Sequence, residues 1–209
     1  MKLYFSPGTC SLAPHIVLLE LNLNYEKVQV NLKEGRTLTG LNFHELNPKD
    51  YVPMLELDNG ERLTEGVAIM QFLADSNAHS KLISPITSFE RYREIEMLNF
   101  ISTEIHKGYS PLFNAHKSIT SKESLEELHV NVRRLLGKRF SYLDSILSER
   151  EFICGDHFTV CDAYLFTVLS WGKFVKINIG EWANLSSYFS KLLERESIKK
   201  AIEVEKLKM

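Results

Sequence analysis

The chain has 209 residues, 44% of them apolar and 25% charged, with a formal net charge of −2. That length holds one large domain or two small ones, and two is the working assumption. The balance argues against disorder; near-neutral charge without a Lys/Arg run argues against nucleic-acid binding, and no run of about 18 apolar residues suits a membrane helix.

The opening run Leu3-Tyr4-Phe5 stops at Ser6-Pro7-Gly8, too short for a signal-peptide core, so a cytoplasmic location is expected. It reads as a buried strand entering a loop. Leu12, His15, Ile16 and Leu19 follow at helical spacing, with Pro14 tolerable only in the first turn. Tyr25 to Leu32 shows a two-residue period and reads as a strand. A weak helical segment closes at Asn47-Pro48. The runs 52–57 and 62–64 then flank Asp58-Asn59-Gly60, a strong hairpin signal. Val67 to Asp75 reads as a helix. The order β-α-β-α-β-β-α is the thioredoxin-like one, and Pro53 at a strand start is an edge feature or a cis turn.

Periodicity lapses after Asn77, and a linker is expected at 81–87. Segments near 88–110, 122–148, 161–175 and 184–195 carry helical patterning, Thr159-x-x-Asp162 reads as a capping box, and no strand is expected in this half. The expectation is an α/β thioredoxin-like domain at 1–80 followed by an all-α helical bundle at 88–209.

Cys10, Cys154 and Cys161 form no C-x-x-C pair and are expected to be reduced thiols; no metal site is expected, because the histidines show no H-E-x-x-H pairing. Cys10 lies between a Pro-Gly loop and a helix start, where the positive end of the dipole favours thiolate. With no second cysteine nearby, its partner is an external thiol, which it meets either as a mixed disulfide or through a hydrogen bond. Glu65-Gly66 opens the helix 67–75. The free N–H groups there suit a carboxylate and Glu65 suits an ammonium, together an α-amino acid head-group, although an ordinary acidic first turn explains the motif equally. Asn99, Thr103 and His106 form a polar flank beside the stripe Ile95, Leu98, Ile101 and Ile105, with Lys107 adding positive charge. A solvated face is the simpler account of that flank, and a cleft the functional one.

Ser6-Pro7-Gly8-Thr9-Cys10-Ser11-Leu12-Ala13, Asn47-Pro48-Lys49, Val52-Pro53, Leu63 to Gln71, Thr103 to Gly108 and Phe158 to Tyr164, in this order, carry a resemblance that spans nearly the whole chain. The sequence resembles the bacterial beta-class glutathione transferases. The resemblance implies a homodimer that uses reduced glutathione as co-substrate, without a prosthetic group, to conjugate small hydrophobic electrophiles. Thiol exchange or peroxide reduction through Cys10 is the further activity it allows.

It also implies that Cys10 contacts the glutathione sulfur, with Ser11 as a secondary hydroxyl. Val52 pairs through its backbone with the tripeptide before a cis Pro53, and Glu65 and Gly66 hold the γ-glutamyl end. Asn99, Thr103, Glu104, His106 and Lys107 complete the site. Gly35 stands where the family commonly offers a lysine to the glycine carboxylate, leaving Lys33 or Arg36 for that role, and Asp50-Tyr51 replaces a small residue and glutamine. Phe5 cannot donate the hydrogen bond that a tyrosine supplies in other classes. These departures keep a non-catalytic binding or scaffold protein as the alternative. The pocket for the electrophile is expected among aromatics such as Tyr109, Phe113 and Trp171, whose commoner role is core packing.

Overall fold

Leu3, Tyr4 and Phe5 are consecutive and all buried, so β1 (Lys2–Phe5) is covered on both faces, as an interior strand must be. A computed structural model, which describes residues 1–208, surrounds it with β2 (Glu26–Asn31), β3 (Arg36–Thr37), β4 (Met54–Glu56) and β5 (Arg62–Thr64), in the sheet order β3-β2-β1-β4-β5. β1 runs parallel to β2, with Leu3 opposite Lys27, and antiparallel to β4, with Leu3 opposite Leu55. The parallel pair requires a crossover, and α1 (Leu12–Glu20) supplies it.

All of Leu12–Leu18 is buried, so α1 is apolar all round rather than striped. It packs against both α3 (Gly66–Asp75) and α9 (Glu196–Glu205). Pro14 falls in its first turn, as expected. The single turn α2 (Phe43–Leu46) is capped by Asn42, whose side chain accepts the His44 N–H at 3.2 Å. It sets Phe43 into a cluster with Tyr4, Val30, Val52 and Met54. The predicted hairpin joins β4 to β5 across Gly60, whose φ of 86° suits glycine. The predicted element order is present with one addition, β3, whose Thr37 lies opposite Val30.

The chain divides into two compact units, one of Met1–Ile86 with Leu193 onward and one of Thr87–Leu192. The sequence pattern had run the helical domain from 88 to 209. The physical reason for the difference is α9, which was not anticipated: its buried face, Ser197, Ile198, Ala201 and Glu205, is docked in the first unit.

In the second unit, α4 (Phe89–Phe100) starts at Ser88, whose hydroxyl accepts the Arg91 N–H at 3.3 Å. It continues through a π-helical segment, Ile101–His106, into α5 (Lys107–Asn114). α6 (Lys122–Leu147) buries Val132, Leu136, Phe140, Leu143 and Leu147, one stripe at helical spacing. α7 (Val160–Leu169) is buried at every position and is followed by the 3-10 turn Gly172–Val175; α8 is Ala183–Leu193. Among the described residues of this unit the only extended pairing is the isolated bridge between Phe152 and Gly155. No helix of the described residues is long and apolar enough to cross a membrane.

Candidate active site

In the first unit, β1 ends in a loop that bends at Pro7-Gly8 and delivers Cys10 to the start of α1. The Ser6 carbonyl organises this loop by accepting the Thr9 N–H at 3.2 Å, the Thr9 hydroxyl at 2.8 Å and the Ser11 hydroxyl at 3.1 Å. Ser11 is fully buried, and its Oγ lies 2.9 Å from Thr9 Oγ1. The hydroxyl expected beside the thiol is therefore committed to holding the loop.

Cys10 is half-buried, and its thiol donates to the Val52 carbonyl at 3.1 Å. The bond from Val52 to Pro53 is cis, and a Cβ built on Gly66 would stand 3.7 Å from Pro53 Cγ. Cys10, Val52, Pro53 and Gly66 are thus brought together across three segments far apart in sequence. α1 carries no acidic residue in its first turn and no side-chain cap, so nothing anionic on that turn competes with a thiolate for its positive end.

Glu65 sits at the N-cap of α3 with φ +68° and ψ 113°, a conformation that L-residues rarely hold and that collects at ligand sites. Its carboxylate accepts Lys49 Nζ at 2.8 Å, and the same ammonium donates to Thr64 Oγ1 at 3.0 Å. The carboxylate expected to hold a ligand's ammonium is here paired with the chain's own Lys49. Arg36 lines with Lys33, Gly35, His44 and Asp50 a cleft of about 410 Å³, and donates to the Gly40 carbonyl at 3.1 Å. Tyr4 is buried in the sheet, as expected.

In the second unit, Thr103, Glu104 and His106 lie in the π-helical segment, with Asn99 just before it and Lys107 just after. A π turn widens the helix locally and is frequent at functional sites. Thr103 Oγ1 donates to the Asn99 carbonyl at 3.0 Å, and Glu104 accepts Arg139 Nη2 at 2.7 Å and Nε at 3.1 Å. His106 Nδ1 lies 2.7 Å from the Tyr164 hydroxyl, and its ring meets Trp171 edge-on at 4.9 Å. Tyr109, fully buried, contacts Phe113 at 6.1 Å and Trp171 at 5.7 Å, so the three aromatics pack together. Burial pushes the Tyr109 phenol well above its ordinary range, and its hydroxyl meets no hydrogen-bond partner among the described residues. Arg139 escaped the sequence reading, and Lys49 entered it only within the stretch Asn47-Pro48-Lys49, with no role of its own, because the acids they meet are remote in sequence.

A five-stranded sheet of thioredoxin-like order with a thiol at the end of β1 beside a cis proline, followed by a helical unit, places the chain in the thioredoxin-like fold class. The model of the glutathione S-transferase N-terminal domain matches residues 1–75 and that of the C-terminal domain residues 100–196. A glutathione S-transferase of Escherichia coli, GstA, is 43% identical over 208 residues, covering 100% of both chains. The structure of a sphingomonad glutathione S-transferase complexed with glutathione is 37% identical, covers 100% of each chain and superposes with a TM-score of 0.91. A bacterial beta-class enzyme from Sphingomonas chungbukensis is 36% identical at the same coverage of 100%, with a TM-score of 0.91. The chain belongs to the glutathione S-transferase family, in its bacterial beta class.

Proposed function

We propose that the chain conjugates reduced glutathione to small hydrophobic electrophiles, with Cys10 at the glutathione sulfur. The observation that carries this is the half-buried Cys10 thiol, 3.1 Å from the Val52 carbonyl and ahead of a helix with no acid in its first turn. Such a thiol can donate to a glutathione sulfur and favour its thiolate. The thiolate then forms the new C–S bond, the displaced group leaves with the electron pair, and the thiol proton goes to solvent.

In this reading the Val52 backbone pairs with the tripeptide ahead of Pro53. Glu65 takes the γ-glutamyl ammonium in the place now held by Lys49, and Gly66 leaves the start of α3 open to the adjoining carboxylate. Arg36 or Lys33 takes the glycine carboxylate. Ser11 acts through the loop, and Asn99, Thr103, Glu104, His106 and Lys107 are assigned to substrate by the family resemblance. The working form is a cytoplasmic homodimer serving detoxification. The glutathione bound by the sphingomonad relative supports the choice of co-substrate.

A second reading is favoured by the nature of the residue, since a thiol can also bond covalently to sulfur. Cys10 thiolate would attack the glutathionyl sulfur of a mixed disulfide and expel the other thiolate. A second glutathione thiolate would then attack the Cys10-bound sulfur, releasing glutathione disulfide and restoring Cys10. Cys10→Ala separates the two. If Cys10 serves conjugation, its rate falls about a hundredfold or more; loss of exchange with conjugation retained assigns Cys10 to exchange. No detectable glutathione binding by calorimetry, with no conjugation of any of a broad electrophile panel, would leave the scaffold alternative.

A further inference from the structure

α9 returns to the loop that presents Cys10. The side chain of Glu205, at the end of α9, is fully buried, and both its oxygens are engaged. Oε2 accepts the Gly8 N–H at 2.8 Å, and Oε1 lies 2.7 Å from His15 Nδ1. Gly8, at φ +70°, is two residues before Cys10, and a Cβ there would meet Leu207 Cδ2 at 3.3 Å. His15 lies on α1 beyond Cys10, fully buried between the rings of Phe5 at 5.8 Å and Tyr25 at 5.6 Å.

One carboxylate therefore ties together the chain before Cys10 and the helix after it. A buried carboxylate is costly unless strongly bonded, and these bonds are directed at the two segments whose spacing sets where the thiol stands. Arg195 Nε donates to Glu20 Oε2 at 2.9 Å and fixes the other end of α9 to α1.

We propose that Glu205 is a positioning residue for Cys10, acting through the Gly8 N–H and His15. The proposal rests on the reading of Cys10 as the thiol that meets glutathione.

The test follows alkylation of Cys10 by iodoacetamide in the full chain, read at that cysteine by peptide mass spectrometry. Glu205→Ala is expected to slow alkylation about tenfold, the scale of losing one charge-assisted hydrogen bond. Glu205→Gln still accepts the Gly8 N–H and can offer its amide to His15 Nδ1, so its rate should stay within about twofold of wild type. Ile198→Ala, a cavity on the buried face of the same helix that removes neither bond, controls for lost stability and should leave the rate unchanged. A wild-type rate in Glu205→Ala, or equal slowing in Ile198→Ala, overturns the proposal. If Glu205→Ala does not fold, Glu205→Asp, one methylene too short to hold both partners, replaces it; equal rates for the Asp and Gln variants then overturn the proposal. Should Cys10→Ala retain full conjugation, thiol exchange and glutathione binding, the reading of Cys10 fails, while the alkylation comparison still decides the role of Glu205.

Discussion

Of the helices that begin on a hydroxyl residue, α1 and α7 are started by opposite means. At α7, Thr159 and Asp162 form a complete capping box, with the Asp162 carboxylate accepting the Thr159 N–H at 2.7 Å and its hydroxyl at 2.8 Å. The same carboxylate accepts the Ile153 N–H at 2.9 Å and the Tyr188 hydroxyl at 2.7 Å. Burial still holds the Asp162 carboxyl above its ordinary value, against the pull of these bonds, and pushes the Tyr188 phenol far up. At α1, the Ser11 hydroxyl turns away from its helix to the Ser6 carbonyl, and the first turn is bonded by backbone alone, Leu12 N–H to the Thr9 carbonyl at 3.0 Å. The first arrangement spends the positive helix end on a structural anion. The second leaves it for a thiol.

Asp162→Ala should have the largest effect. It leaves several buried donors without their acceptor and should cost about 3–5 kcal/mol in urea denaturation, with retention of wild-type stability refuting the structural role assigned to α7's start. Ser11→Asp is the sharper test of the contrast, because it puts a carboxylate where α1 has none. Alkylation of Cys10 should slow about tenfold, and an unchanged rate would mean the helix end does not act on the thiol. Ser11→Ala removes only the loop's tie and should cost about 1 kcal/mol.

Away from both helix starts, Glu56 offers a pH control. Its burial pushes the carboxyl up, but Lys2 at 3.1 Å and Arg62 at 3.0 Å outweigh that and hold it below the usual carboxylate range. A depressed folded value means stability that is present above the unfolded value of about 4.3 and lost as pH falls through the folded one. Glu56→Gln should thus be less stable than wild type near neutrality, by up to about 1 kcal/mol for a pair this exposed, and equal to it in acid. A gap that persists below about pH 3 would rule out the charge as its source.

The first unit was largely legible because its elements are local patterns: an apolar run stopped by Pro7-Gly8, an alternating strand, and Asp58-Asn59-Gly60 between two short strands. β3 was not, since two residues, Arg36 and Thr37, have no period, and their pairing with β2 comes from a turn. α9 was missed although Ile198, Ala201 and Glu205 share a face, because one of those buried residues is a carboxylate whose partners lie about 190 residues away in sequence. At the site, Cys10, Pro53 and Glu65 carried residue-type signals of their own. The commitment of the Ser11 hydroxyl to Ser6, and the ammonium of Lys49 on Glu65, depend on side-chain direction, which spacing does not encode. The π turn at Ile101–His106 leaves the helical apolar stripe nearly intact and is invisible for that reason.

Because its last helix packs against its first, the thioredoxin-like unit is interrupted by the whole of the second unit. During synthesis, which generally lets N-terminal domains fold first, the segment bearing Cys10 emerges early, yet the face of α1 that meets α9 stays uncovered until residue 205 has left the ribosome. The helical unit can complete itself in that interval. The thiol loop is then assembled by a segment made more than a hundred residues after it, so premature chains that end before α9 should carry Cys10 in an unfinished setting.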